Sequence, residues 1–176
     1  MSRSIDPRRV CGEWARRQAL APRTSSTPAG KVHATGWLRT LGGIDAYLAL
    51  RARLPEFSMA EVHAAIAAGE LRVSPAARGC IYLVPQADLA LALRMADLLS
   101  RRRNARELEK VGVPESEIEA IGDAVLAALD APLTTAEVRK ALPDGLVRSL
   151  GAVGKKVGLS SPLPSALRAL DFAGHI

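Results

Sequence analysis

Apolar positions along this chain fall in short stripes at helical spacing, cut by Gly and Pro, with one pair of β-prone runs near the middle. Asp6-Pro7 reads as an N-cap followed by a first helical residue, which predicts a helix to about Leu20. Residues 21–36 carry Pro, Gly, Ser and Thr without a period and are expected to form a loop. Trp37 to Leu41 resumes the apolar pattern, Gly42-Gly43 interrupts it, and Ile44 to Leu54 is predicted helical until Pro55. Ser58-Met59-Ala60-Glu61 has the spacing of a capping box, opening a short helix to Ala68 with Gly69 in the left-handed position after it. Leu71-Arg72-Val73 and Cys80 to Val84, joined by a Pro- and Gly-bearing turn, predict a β-hairpin over about 71–84.

Gln86 to about Val111 reads as a long helix carrying Arg101-Arg102-Arg103, and Pro114 starts another to about Leu129. From Ala131 the pattern of the first half begins again. Thr134 to Glu137 offers a cap, and Val138, Ala141 and Leu142 make one apolar face. Leu146, Leu150, Val153 and Val157 recur at helical spacing, and Gly158 closes that run. Pro162 and Pro164 are tolerable only in a first turn, which places the start of a last helix whose buried stripe is Leu163, Ala166, Leu167 and Leu170. The expected fold class is mainly α with a small β-hairpin, arranged as tandem winged helix-turn-helix units. Residues 1–112 would hold the N-terminal helices and the first unit. Residues 113–176 would hold a second unit that stops before its wing, so the chain reads as truncated.

The chain has 176 residues, 48% of them hydrophobic and 24% charged, enough for a packed core. Its apolar runs fall well short of a membrane span, and Met1 to Arg9 is polar and leads into no secretory h-region. The net charge of +6 and a pI near 9.9 favour a polyanionic partner. Aromatic content of 3% argues against a single-strand binder built on stacking platforms. Cys11 and Cys80 are far apart and read as free thiols of a reducing cytoplasm. His33, His63 and His175 share no ligand spacing with each other or with the cysteines, so neither a metal nor a cofactor is expected. Gly151 to Lys156 lacks the gap, the hydroxyl residue and the preceding strand of a phosphate loop.

Several stretches resemble the winged-helix DNA-binding family that includes the AlkZ and YcaQ DNA glycosylases. They are Leu48 to Pro55 (LALRARLP), Arg78 to Pro85 (RGCIYLVP) with Asp88 after it, Pro132 to Leu142 (PLTTAEVRKAL) and Gly154 to Ile176. Together they span most of residues 37–176 in the family's order, and would correspond to roughly the N-terminal half of its members. The resemblance implies a scaffold for double-stranded DNA and, in the family's enzymes, hydrolysis of the N-glycosidic bond of alkylated or crosslinked bases. Those enzymes carry a Gln-apolar-Gln or Gln-apolar-Asp motif in the first winged helix. Gly43-Ile44-Asp45 is the nearest match here. Asp45 fits the acidic position, while Gly43 stands where the first glutamine belongs; an alignment anchored on LALRARLP places Arg39 and Leu41 there instead. Tyr82 replaces the family's usual histidine.

Asp45 is thus the candidate catalytic carboxylate, with a helix N-cap as its plain alternative. Arg72 and Arg78 on the expected wing are candidate DNA contacts, Arg78 equally a solvated tip. Lys155, Lys156, Ser161, Ser165 and Arg168 around the last helix are the candidates in the second unit, on a face expected to be left free for a major groove. The expected partner is double-stranded DNA; a non-catalytic transcription regulator is the alternative.

Overall fold

The computed structural model describes residues 6–176; the first five residues of the polar N-terminal stretch lie outside it. The described chain is mainly helical with one small, open antiparallel sheet, and it divides into two compact units. The first runs to Ala76 and takes up Cys80–Ala92; the second consists of Ala77–Gly79 and Leu93–Ile176.

Four helices of the first unit are α1 (Pro7–Arg17), α2 (Pro28–Thr35), α3 (Asp45–Arg51) and α4 (Met59–Ala67). Asp6 caps α1 by accepting from the Arg8 amide at 2.9 Å, with Pro7 next in line. Ser58 caps α4 through the Glu61 amide, and Gly69 follows with φ 75°. Helix α2 occupies part of the stretch expected as loop. Its signal is Thr27-Pro28: the threonine hydroxyl accepts from the Gly30 amide at 3.1 Å, proline occupies the first turn, and Gly36 ends the helix in the left-handed region. The weak apolar period of Pro28–Thr35 hid it. Val32 alone is an apolar anchor of consequence, and it is fully buried.

The expected hairpin is present as β2 (Leu71–Pro75) and β3 (Ile81–Pro85), in a register that pairs Val73 with Leu83. A two-residue strand, β1 (Leu38–Arg39), adds to the other side of β3, giving the order β1-β3-β2. Leu38, Leu71 and Leu83 from the three strands meet Val32, Leu50, Leu54 and Val62 in one core. Ala76, Val84 and Ala92 form a smaller cluster against Trp37 and Tyr82. A short 3-10 turn, Gln86–Asp88, leads into α5 (Leu89–Lys110), along which the division between the units falls.

In the second unit α6 (Glu115–Ala128), α7 (Thr135–Ala141), α8 (Gly151–Lys156) and α9 (Leu163–Ala173) surround Ile118, Ile121, Val125, Val138, Leu150, Leu163 and Leu170. A fully buried side chain of this kind contributes about 1.5–3 kcal/mol over an exposed one. Thr134 and Glu137 make a reciprocal capping box at α7. The helical spacing of Leu146 and Leu150 does not become a helix. Pro143 and Gly145 (φ 82°) turn the chain first, and the helix begins only at Gly151. Pro162 and Pro164 do sit at the start of α9, and Gly174 ends it with φ 77°.

Candidate nucleic-acid interface

The hairpin presents its two arginines differently. Arg72, opposite Val84, donates from Nε to the Gln86 side-chain oxygen at 2.7 Å. Its guanidinium lies over Gly69, where a Cβ would come within 2.8 Å of a terminal nitrogen. Arg72 is therefore a held cation at the open end of the hairpin. Arg78 sits in the turn between the strands with φ 60°, followed by Gly79 at φ 67°. A non-glycine residue in this region is uncommon, and the left-handed pair Arg78-Gly79 reverses the chain with the Arg78 side chain exposed. No carboxylate pairs with it among the described residues.

Lys155 and Lys156 close α8, exposed and without an ion-pair partner among the described residues. Ser161 is different: it is 2% exposed, in the buried turn that leads into α9, so its hydroxyl is not offered to solvent in this conformation. Ser165 and Arg168 lie on α9 and line a groove of about 870 Å³ together with Arg101, Asn104 and Phe172. One Arg168 terminal nitrogen reaches the Asn104 oxygen at 3.5 Å, a long contact. The face of α9 expected to stand free thus looks onto α5 across a groove, because α5 supplies the opposite wall. Arg101 on that wall is paired with Asp97, whereas Arg168 has no carboxylate partner among the described residues.

Asp45 is the first residue of α3 and is exposed. The cap position belongs to Ile44, which is already helical and makes no side-chain cap bond, so the N-cap alternative for Asp45 is not realised. Leu41, Ile44 and Leu48 around it are all more than half exposed. Its carboxylate meets no donor among the described residues.

The first unit also holds a constellation that no sequence motif marks. Asp88, in the 3-10 turn after β3, accepts at one carboxylate oxygen from the Trp37 indole nitrogen at 3.0 Å and bonds His33 Nδ1 at 2.9 Å. These bonds, the indole first, hold the Asp88 carboxyl below the ordinary aspartate range. Trp37 has φ 69° and sets its ring edge-on to Tyr82. His33 itself is 66% exposed. Asp88 stands just after the RGCIYLVP stretch, yet it lies 55 residues from His33, and no spacing rule joins them. A second pair is Tyr47 and His63, whose hydroxyl and Nε2 are 3.1 Å apart.

Among the described residues no group of three or more His, Cys, Asp or Glu is placed to hold a metal ion. Cys11 and Cys80 are free thiols. No described helix is long and apolar enough to cross a membrane.

Residues 39–175 match the family described as DNA glycosylase AlkZ-like. Among solved structures, Streptomyces sahachiroi DNA glycosylase AlkZ superposes with a TM-score of 0.68 at 20% identity, covering 98% of this chain and 46% of that one. The chain thus spans a little under half the length of that protein, and the likeness establishes a shared fold. No curated protein matches. With the family match extending over most of the chain, from the first strand of the sheet to the end of α9, the protein belongs to the AlkZ-like DNA glycosylase family.

Proposed function

We propose that this protein binds double-stranded DNA through tandem winged helix-turn-helix units and acts there on N-glycosidic bonds of alkylated or crosslinked bases. It would do so in the reducing cytoplasm. The observation that carries the reading is the family match over residues 39–175, joined to a three-stranded sheet whose hairpin ends in an exposed arginine with no carboxylate partner among the described residues. Arg78 at the hairpin tip and Arg72 at its base are the proposed contacts of the hairpin. In the second unit, Lys155 and Lys156 supply phosphate contacts, and Ser165 and Arg168 are reached through the groove they line. Ser161 contributes by positioning the start of α9 from its buried site rather than by touching DNA in this conformation.

Asp45 is the proposed carboxylate that orients water and stabilises positive charge growing on the sugar. An N7-alkylated purine is already cationic and leaves readily, so few catalytic groups suffice. Duplex binding at about 50 mM salt that weakens steeply as salt rises supports the DNA reading, and no shift with any duplex removes it. Release of free base from alkylated duplex, lost in Asp45→Asn, supports the enzymatic reading. The replacement of the first motif glutamine by Gly43 and the unsupported carboxylate of Asp45 favour a second reading, a non-catalytic winged-helix regulator. Duplex binding without base release, with protection of one operator sequence, selects that second reading.

A further inference from the structure

In the first unit His33 is an imidazole held by a fixed carboxylate and open to solvent. His33 Nδ1 lies 2.9 Å from Asp88 Oδ2, and the same oxygen accepts from the Trp37 indole at 3.0 Å. Two bonds on one oxygen fix the carboxylate, and the carboxylate fixes the ring. With Asp88 ionised, Nδ1 carries a proton and the lone pair of a neutral ring resides on Nε2. That nitrogen has no partner among the described residues, and the side chain is two-thirds exposed. His63, by contrast, engages its Nε2 with the Tyr47 hydroxyl.

Backbone strain is invested in the same place. Trp37 is a bulky residue held at φ 69°, directly after Gly36 at φ 79°. A bulky residue in that region is strained, and such strain gathers at functional sites. Here it aims the indole nitrogen at Asp88. Asp45 has no comparable support: it is exposed and no donor among the described residues positions it.

We propose that His33 is a general base of base excision in this protein, with Asp88 and Trp37 as its positioning residues. The inference rests on the glycosylase reading above and names a second group for its reaction. His33 Nε2 takes one proton from a water molecule, and the oxygen forms a bond to C1′ of the sugar. The C1′–N9 bond breaks with its electron pair passing to the purine ring, which leaves neutral if it was an N7-alkylated cation. The imidazolium, stabilised by Asp88, returns its proton to solvent. A phosphate contact is the weaker role for the same ring, because the imidazolium and Asp88 together carry no net charge to attract a polyanion.

The test uses the whole chain and a duplex containing one N7-methylguanine, reading free base under single turnover. His33→Ala and His33→Gln should both slow release by about 100-fold or more, the scale of a general base, while leaving duplex affinity unchanged. Added imidazole should restore part of the rate to His33→Ala, which a merely structural role would not allow. Asp88→Asn should slow release less than loss of the ring. Release at the wild-type rate by His33→Gln, which can still donate to Asp88, overturns the proposal and leaves the network structural. Loss of rate together with duplex affinity, without rescue by imidazole, overturns it in favour of a backbone contact. If the wild-type chain releases no base while binding the duplex, the glycosylase reading fails and the base with it; release that survives every His33 substitution defeats the base alone.

Discussion

At Gly154 a Cβ would stand 2.1 Å from the Leu159 carbonyl oxygen and 2.4 Å from Leu150 Cβ. Neither neighbour can yield easily, since one is backbone and the other is a buried core leucine. Gly154→Ala should therefore destabilise the second unit by at least about 1–3 kcal/mol, the usual cost of overpacking, visible as a lowered Tm or denaturation midpoint. Asp171 makes the opposite case. Half-burial without a cationic partner raises its carboxyl above the ordinary range, and it sits in the last turn of α9, where negative charge opposes the helix dipole. A raised carboxyl contributes stability below its unfolded pKa and loses it as pH rises through the folded one. Asp171→Asn should thus stabilise at neutral pH by about 0.3–1 kcal/mol, with the gain fading on acidification. A melt series from pH 7 to pH 3 checks both the sign and its disappearance.

Helix α7 is only seven residues long, too short to persist on propensity alone. Its start is held by a reciprocal box: the Thr134 amide and hydroxyl each donate to Glu137 Oε2 at 2.7 Å, and the Glu137 amide reaches back to the hydroxyl. Those bonds depress the Glu137 carboxyl. Thr134→Ala should cost about 0.5–2 kcal/mol in thermal or denaturant unfolding, because it removes the acceptor while leaving the apolar stripe intact. The same short signals decided what could be read in advance at this scale. Starts marked by a cap, as in α4 and α7, or by first-turn prolines, as in α9, were legible. Helix α2 was not, since Ala29, Gly30, Lys31 and His33 give no period and only Thr27-Pro28 announces it. Strand β1 was not, since two residues owe their pairing entirely to β3. Leu146 and Leu150 misled because both are drawn to the core ahead of the helix: Leu150 is 7% exposed, and Leu146 packs against the same cluster.

For the molecule as a whole the +6 charge is a statement about salt. If Lys155 and Lys156 each neutralise one phosphate, replacing both by Ala should weaken duplex binding about equally across sequences. It should also flatten the slope of log affinity against log salt by about 2, one for each lysine. An unchanged slope would place both side chains away from the backbone. The candidate interface was readable only in part. Exposed cations at element ends, Arg78 and Lys155-Lys156, followed from turn and helix-end signals. The facing of Arg168 by Asn104 joins residues 64 apart in the chain, and no local pattern carries that, nor the burial of Ser161. The joining of His33 to Asp88 has the same cause.

One of the five lysines stands apart. Lys31 is 3% exposed, and its ammonium donates to the Thr24 carbonyl and hydroxyl oxygens, each at 2.9 Å. The other four, Lys110, Lys140, Lys155 and Lys156, are exposed. Acylating reagents that need a free, accessible amine will label those four and pass Lys31 by. The chain therefore carries its own silent standard for lysine footprinting. Labelling of Lys31 reports opening of the first unit, and protection of Lys155 and Lys156 while Lys31 stays silent reports a ligand on the folded protein.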